Sequence, residues 1–331
     1  MTVLAKPFIG ELGHELMFWQ GLLRHMKFHQ YRNHRMLVCC LPGHECLYEF
    51  ADEIITVPGD LLSEEMFHNQ TTWLSESDNS NGIDAWFNKK VYEMYPQKNF
   101  VEREEEKKGE FDTYIQGLPM IVDPDQDCRH KYRHGYHDLM GNRIHQRFTL
   151  LQPSDVAWHK VSVFIGHDNF RWGKYVVIYP RHKPGIFARR NWAHWRSLIT
   201  YLNESGLITV VVGIESLTDE EARGVANLEY VASMKDSDLD FQIGLLANAS
   251  FAVTPISGCT FLSILSGCPT FVIGNVKCSH HLLYRNVFQT KVEYVSDIES
   301  PDDMPGIDCL RRIFRRIDIF KKQCLDGRFS V

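Results

Sequence analysis

The spacing of hydrophobic residues over the first sixty positions predicts alternating strands and helices. Residues 3–9 are mostly apolar, as in a buried strand, and residues 14–28 carry apolar side chains at every third or fourth position, as on one helix face. Two further apolar runs, 36–41 and 54–57, flank a short predicted helix at 45–50. Because parallel strands need crossover helices between them, this order predicts a parallel sheet with right-handed connections.

The second half of the chain repeats the pattern more clearly. Asn191 is placed to cap a helix with apolar residues at helical spacing, and further helices are predicted after each later strand except 270–273. Short strands alternating with helices predict a doubly wound α/β domain. The predicted strands are 175–179, 207–212, 228–231, 251–254, 270–273 and 292–295.

Between these regions, the pattern over residues 66–150 is irregular. A short apolar run at 118–122 predicts one strand, and the charged run at 102–110 predicts a solvated helix face or loop. We therefore expect an N-terminal Rossmann-like domain over 1–160 with irregular insertions at 66–150, and a C-terminal Rossmann-like domain over 170–331. The fold class predicted is α/β, with the two domains facing across a cleft.

Composition supports this division. A chain of 331 residues suits two domains of about 150 residues each. No apolar stretch approaches the ~18 residues that a membrane span needs, and the first residues resemble a strand more than a signal peptide, so we expect a cytoplasmic protein without a membrane span. The formal net charge of −6 argues against a protein built mainly to coat nucleic acid.

Candidate binding residues follow two strands of the C-terminal domain. The turn after strand 251–254 enters a helix through Ser257, Gly258, Cys259 and Thr260. Free backbone N–H groups at such a helix start suit a phosphate or diphosphate, although the same turn is equally compatible with a plain strand-to-helix connection.

The loop after strand 175–179 is cationic. Arginine side chains match phosphate oxygens in bidentate fashion, so we expect this loop to hold a phosphorylated ligand rather than to be only a solvated basic loop. Glu215, after the next strand, is placed either to bind ribose hydroxyls or to cap a helix. The cationic candidates are Arg181, His182, Arg189 and Arg190.

These motifs carry a resemblance to a known family. The pair Ser257-Gly258 precedes Gly267-Cys268-Pro269-Thr270, with eight residues between Gly258 and Gly267, and Arg190-Asn191-Trp192 opens a helix. This half resembles the nucleotide-sugar domain of GT-B glycosyltransferases, most closely the ADP-heptose:lipopolysaccharide heptosyltransferase family. The resemblance implies a nucleotide-sugar donor as co-substrate, no other cofactor, no metal, and inversion at the anomeric carbon.

The first half has a matching feature. In that family a glycine-acid pair leads from the first strand into a helix, and the acid is the presumed base. Here His14 stands at the position of that acid, with Glu11 and Glu15 on either side. The resemblance implies that one of the three deprotonates the acceptor hydroxyl, with Glu11 or Glu15 preferred as the base and His14 as a contact to the donor phosphate or the acceptor. The alternative is a helix start that favours acids for electrostatic reasons.

Rival signals are weaker. Asp123-Pro124-Asp125 has the Asp-x-Asp pattern of metal-dependent glycosyltransferases, but Asp-Pro turns are common. Cys128, with the three histidines His130, His134 and His137, fits no strong zinc spacing. No Gly-x-Gly-x-x-Gly occurs, and residues 166–174 lack the spacing of a phosphate-binding loop, so the sequence does not favour an NAD enzyme or an ATPase.

The function predicted is therefore a metal-independent, inverting glycosyltransferase with a saccharide or glycoconjugate acceptor. One alternative is transfer to a modified (hydroxymethylated) base in DNA, with nucleic acid as the acceptor; the basic stretch 128–147 motivates it. Another is a non-catalytic sugar-nucleotide-binding protein, because Ile256 and Phe261 stand where the family has an acid and a histidine.

Overall fold

A computed structural model describes most of the chain. The described residues are 2–10, 12–62, 76–105, 120–132, 146–171, 173–181, 191–212, 228–230, 239–255, 257–274, 290–295 and 310–328. They form two compact units, Met1–Thr149 and Leu150–Val331. Residues 161–169, between the two predicted domains, lie in the second unit, which begins at Leu150.

The N-terminal unit is built on a six-stranded sheet of order β3-β2-β1-β5-β6-β4. Strands β1, β2 and β3 are parallel, as predicted, but β5 runs antiparallel to both β1 and β6. Its elements are β1 (Thr2–Ala5), α1 (Leu12–His14), α2 (Gln20–Phe28), β2 (Arg35–Cys40), β3 (Glu53–Thr56), α3 (Glu76–Met94), β4 (Val101–Glu105), β5 (Met120–Asp123) and β6 (Cys128–Tyr132).

A single π-helical turn, Glu15–Trp19, joins α1 to α2 without interruption. Turns of this kind are rare and occur frequently at functional sites. The helices bury an apolar stripe that includes Leu16, Trp19 and Leu23, each fully excluded from solvent. This stripe is the one that the sequence pattern predicts.

One face of the N-terminal sheet is covered by α3. Phe87 and Val91 of this helix pack against Leu4, Leu37 and Val122 of the sheet. The helix therefore holds the parallel strands β1 and β2 and the antiparallel strand β5 in one core. The pattern over residues 66–150 predicted the strand but did not predict this helix.

The prediction of a solvated helix face or loop for the charged run at 102–110 was wrong in part. Residues 101–105 form the edge strand β4 rather than a helix face or loop. In its parallel pairing with β6, Glu102 lies opposite Arg129 and Glu104 opposite Lys131. An edge strand tolerates charged residues because one side of it faces solvent.

The C-terminal unit contains a six-stranded, entirely parallel sheet of order β12-β11-β10-β7-β8-β9. This is the strand order of the doubly wound dinucleotide-binding fold. The elements are α4 (Asp155–Ile165), α5 (His167–Arg171), β7 (Tyr175–Ile178), α6 (Trp195–Glu204), β8 (Ile208–Val211), β9 (Leu228–Tyr230), α7 (Leu239–Asn248), β10 (Phe251–Pro255), α8 (Gly258–Leu265), β11 (Thr270–Ile273), β12 (Val292–Val295) and α9 (Leu310–Arg328).

Helices α6 and α9 cover one face of this sheet. Phe320 of α9 lies edge-on to Phe251 and Phe271, with ring centroids 5.7 and 5.8 Å apart. Trp192 and Trp195 meet at right angles at the start of α6, with centroids 5.1 Å apart. The helix begins at Trp195, with His194 rather than the predicted Asn191 at the cap position, and the buried indole of Trp192 packs ahead of it.

Helices α4 and α7 pack closely against each other in the same unit. Ser154 caps α4 by accepting a hydrogen bond from the Ala157 amide at 3.1 Å, and its hydroxyl donates to Asp240 of α7 at 2.6 Å. A Cβ atom at Gly244 of α7 would lie only 3.1 Å from Val161 of α4. The glycine thus permits the close approach that the Ser154–Asp240 bond holds in register.

No helix within the described ranges is both long enough and apolar enough to span a membrane.

Replacing Phe320 by alanine tests the core under α9. The side chain is fully buried among aromatic rings, so its removal is expected to cost about 3–5 kcal/mol of unfolding free energy. The neighbouring Ile319→Ala is the matched control, because Ile319 is 49% exposed and should lose less than ~1 kcal/mol. Urea denaturation of both variants makes the comparison, and equal losses would contradict this packing.

Candidate functional site

The strand order of the C-terminal sheet creates a crevice at one edge. From β7 the chain continues to β8 and β9 on one side, then returns to β10, β11 and β12 on the other. Because all six strands are parallel, their carboxyl ends lie at one edge, and the connections after β7 and β10 leave in opposite directions. Ligands of such sheets bind at this reversal of strand order.

Arg181 lies at this edge, three residues after β7. The pairing of β7 with β10 continues past the strand, since the Tyr179 amide donates to the Val253 carbonyl at 3.0 Å. Burial, with the nearby Cys259 and Cys268 thiols, raises the pKa of Tyr179 well above its ordinary value, so this phenol stays protonated. A rigid strand end therefore leads to Arg181, which is 7% exposed.

The start of α8 lies after the adjacent strand β10. The buried Thr260 hydroxyl donates to the Pro255 carbonyl at 2.8 Å. Its oxygen accepts from the Ser257 amide at 3.2 Å and from the Thr254 hydroxyl at 2.9 Å. One side chain therefore closes the whole turn between β10 and α8.

This turn gives α8 an N-terminus suited to an anion. The Thr260 amide bonds back to the Ser257 carbonyl at 3.1 Å, and no acidic side chain occupies the first turn. A helix start carries partial positive charge from its amide groups, which favours a phosphate group there. Arg181 and the α8 start thus follow neighbouring strands at one edge of the sheet.

Five of the nine predicted donor-site residues lie after β7 or β10 in the described part of the chain. Arg181 precedes the undescribed part of its loop, and Ser257, Gly258, Cys259 and Thr260 form the start of α8. The other four predicted residues, His182, Arg189, Arg190 and Glu215, lie outside the described residues.

In the N-terminal unit, Glu15 is the centre of a buried polar cluster. Its carboxylate is 1% exposed and accepts one hydrogen bond on each oxygen. The Tyr48 hydroxyl donates to Oε1 at 2.5 Å, and Nδ1 of His44 donates to Oε2 at 2.7 Å. Hydrogen bonds to both oxygens are what allow a carboxylate to be buried, because an unpaired one would cost several kcal/mol.

Local backbone geometry brings His44 and Tyr48 to Glu15. Residues 41–44 form a turn with Pro42 at its second position and Gly43, at φ +82°, at its third; this is the type II pattern. The His44 amide closes the turn on the Leu41 carbonyl at 3.1 Å. A short 3₁₀ helix, Glu45–Leu47, then separates His44 from Tyr48, so the two side chains flank it.

The cluster favours a charged His44. Burial lowers the pKa of its imidazole, but the charge and hydrogen bond of Glu15, with the charge of Glu45, outweigh burial and leave it raised above 6.5. Burial and the Glu15 charge raise the pKa of Tyr48 well above 10, so it remains a hydrogen-bond donor at neutral pH.

Sequence reasoning identified Glu15 but missed its partners. His44 follows strand β2 just as the predicted binding residues follow their strands, and this placement was the available signal. Glu11 lies outside the described residues. The backbone of His14 ends α1, but its side chain is not described.

The rival acidic motif forms a hairpin between β5 and β6. Asp123 accepts the amide of Asp125 at 2.9 Å, Asp125 lies 2.6 Å from Nε2 of His34, and Asp127 pairs with Lys98 at 2.6 Å. Each carboxylate therefore has a structural partner in this turn.

The rival zinc cluster and basic stretch are only partly described. Cys128 and His130 are buried in β6, while His134 and His137 lie outside the described residues. Arg129, from the basic stretch, donates to Asn88 at 2.7 Å within the unit. Across the described ranges, no three His, Cys, Asp or Glu side chains are grouped to hold a metal ion.

Comparison with solved structures agrees with this architecture. The chain is similar to a family 9 glycosyl transferase from Veillonella parvula, with 10% identity, 98% of this chain and 97% of that chain covered, and a TM-score of 0.53. It is similar to E. coli ADP-heptose LPS heptosyltransferase II, with 12% identity, 97% and 98% covered, and a TM-score of 0.57. An E. coli heptosyltransferase with ADP gives 16% identity, 96% and 99% covered, and a TM-score of 0.50.

No protein-family model and no curated protein sequence matches the chain. At these identities the likeness is one of fold. It confirms the predicted fold class, an α/β architecture of the GT-B type, and supports the resemblance stated from the sequence at the level of the fold.

The Thr260 hydroxyl gives a test of the α8 turn. Thr260→Val is expected to lower the unfolding free energy by about 1–3 kcal/mol, because it leaves the Ser257 amide and the Pro255 carbonyl without their partner. Thr260→Ser is the control, because it keeps the hydroxyl and loses only the methyl group. If the two variants unfold at the same urea concentration, the hydroxyl does not hold this turn.

The raised pKa of His44 predicts a pH-dependent stability. Its contribution should be fully present below pH 6.5 and should decline as the pH rises through the raised value, because the folded state binds the proton more tightly. His44→Asn keeps a donor for Glu15 but does not titrate. The unfolding free energy of the wild type minus that of H44N should therefore fall with rising pH in urea titrations; a constant or growing difference would contradict the cluster.

Proposed function

We propose that the protein is a glycosyltransferase that moves a sugar from a nucleotide-sugar donor to an acceptor hydroxyl. The observation that carries this proposal is the carboxyl edge between β7 and β10, where Arg181 and the α8 start supply anion donors in a fold similar to glycosyltransferases of known structure. The nucleotide sugar is a co-substrate that leaves as the nucleoside diphosphate.

The donor diphosphate is assigned to this edge. Backbone amides at the start of α8 and the guanidinium of Arg181 would bind its oxygens, with His182, Arg189 and Arg190 on the same loop and Glu215 toward the ribose. Since the diphosphate gains charge as the sugar departs, fixed donors at this place stabilise the transition state more than the ground state. This chemistry needs no metal ion.

The acceptor is assigned to the N-terminal unit, with the base supplied after β1 by Glu11, His14 or Glu15. The acceptor oxygen attacks the anomeric carbon opposite the departing diphosphate, so the configuration inverts, and the base takes the hydroxyl proton. A saccharide or glycoconjugate acceptor is proposed by analogy with the E. coli heptosyltransferases, one of which is an ADP-heptose LPS heptosyltransferase.

The direct test is a thermal-shift screen of the whole chain against ADP, UDP, GDP and CMP sugars, ADP-heptose included. A bound donor stabilises the folded state by mass action, by about 2.7 kcal/mol at a concentration a hundredfold above Kd, and so raises the melting midpoint. Release of the nucleoside diphosphate is then followed with saccharide acceptors. Binding without release across all acceptors would favour a non-catalytic sugar-nucleotide-binding protein, and no stabilisation by any donor would contradict the proposal.

Arg181→Ala tests the assigned edge. Losing hydrogen bonds to a charged phosphate is expected to weaken donor binding by about 1.5–3 kcal/mol, roughly ten- to a hundredfold in Kd. Arg190→Ala tests the same loop independently, should Arg181→Ala lower the melting temperature.

The matched control is Lys174→Ala, because the exposed Lys174 precedes β7 at the opposite, amino edge of the same strand. Calorimetry with the selected donor compares the variants. Unchanged affinity in both arginine variants, or an equal loss in K174A, would refute this placement of the donor.

A further inference from the structure

The buried cluster in the N-terminal unit has the proton arrangement of a base held by a carboxylate. A carboxylate can only accept hydrogen bonds, so in the contact with Glu15 the proton is assigned to Nδ1 of His44. In the neutral imidazole this leaves Nε2 as the nitrogen with a free lone pair. Nε2 makes no hydrogen bond to the parts of the chain that the structure describes.

The cluster fixes this arrangement rigidly. Tyr48 holds the second oxygen of Glu15 at 2.5 Å, so the carboxylate cannot rotate away from His44. Glu15 begins the π-helical turn after β1, and His44 follows the type II turn after β2. Because β1 and β2 are neighbouring parallel strands, both residues belong to the carboxyl edge of the N-terminal sheet.

We propose that His44 is the catalytic base that takes the proton from the acceptor hydroxyl, and that Glu15 and Tyr48 are positioning residues that hold it. This inference rests on the proposed function and replaces the base named there, Glu11, His14 or Glu15, with His44. Both residues are buried, with Glu15 1% and His44 5% exposed, so exposure does not separate them. Glu15 is the poorer base because both of its oxygens already accept hydrogen bonds.

The proton transfer balances with the sugar transfer. The acceptor oxygen forms a bond to the anomeric carbon while the bond from that carbon to the diphosphate oxygen breaks, with the bonding pair leaving on the diphosphate. The hydroxyl proton moves to Nε2 of His44, and the imidazolium is stabilised by Glu15. Water serves as the acceptor in the same step when no sugar acceptor is present.

The charged groups around His44 determine its pH dependence. Glu15 contacts it directly and Glu45 follows it in the chain, while the cluster also includes Tyr48 with Cys40 and Cys46 near its hydroxyl. The two carboxylates raise the pKa of His44, so a base at this position becomes active only as the pH rises beyond the ordinary histidine range.

The test is the rate of nucleoside diphosphate release from the donor chosen by the thermal-shift screen, with water as acceptor, between pH 5.5 and 9. The variants are His44→Asn, Glu15→Gln and His14→Asn. A positioned general base contributes about 10²–10⁴-fold. H44N should lose at least about a hundredfold of kcat, with little change in KM or in the donor affinity measured by calorimetry. In the wild type the rate should fall toward low pH as His44 takes up a proton, and this acid limb of the pH profile should be absent from H44N.

Glu15→Gln separates positioning from packing. It should lower kcat and move the acid limb to lower pH, because the carboxylate no longer holds His44 in its protonated form; a purely structural role would leave the limb unmoved. A spectroscopic check is NMR of the protein labelled with ¹⁵N-histidine. The wild-type signals that are missing from H44N belong to His44, and they should show a protonated Nδ1 and an Nε2 that titrates.

Several outcomes would overturn the inference while leaving the proposed function intact. These are equal rates in the wild type and H44N with donor binding retained, a loss confined to H14N, or an NMR signature with the proton on Nε2 in the neutral ring. If the wild type binds no nucleotide sugar, the proposed function fails and this inference fails with it.

Discussion

The parallel pairing of β7 with β10 is the constraint on which the C-terminal unit depends. Val176 lies opposite Phe251 and Ile178 opposite Val253, although the paired residues are some 75 positions apart in the chain. The pairing reverses the strand order and brings the two following loops to one edge. The aromatic core under α9 holds the sheet from one side, and the Thr260 hydrogen bonds hold the turn at the edge itself. The proposed donor chemistry follows from that placement.

The N-terminal unit obeys a different constraint, the burial of one carboxylate. Glu15 can be excluded from water only because His44 and Tyr48 satisfy both of its oxygens. In satisfying them, the cluster also fixes a histidine tautomer, so one arrangement stabilises the fold and prepares a proton acceptor. The turn at Pro42 and Gly43 supports both roles, because it sets where the chain returns after β2.

Hydrophobic periodicity predicted the parallel strands of both units, since runs of buried apolar residues bear directly on it. It did not predict that β5 runs antiparallel, because strand direction depends on pairing across distant segments. The charged strand β4 was missed for the same reason: its pairing with β6, rather than its own composition, makes it a strand. At the candidate sites, Arg181 was predicted from its place after a strand, and Glu15 from the resemblance of the first helix start to a known family. The Glu15–His44 contact spans 29 positions, and no local pattern reports such a contact.

The central claim is that the carboxyl edge between β7 and β10 binds the diphosphate of a nucleotide sugar. A crystal structure of the whole chain with ADP tests this most directly. The account predicts the diphosphate against the backbone amides at the start of α8, with Arg181 contacting its oxygens. A diphosphate bound elsewhere, or α8 and Arg181 without contact to the nucleotide, would contradict it.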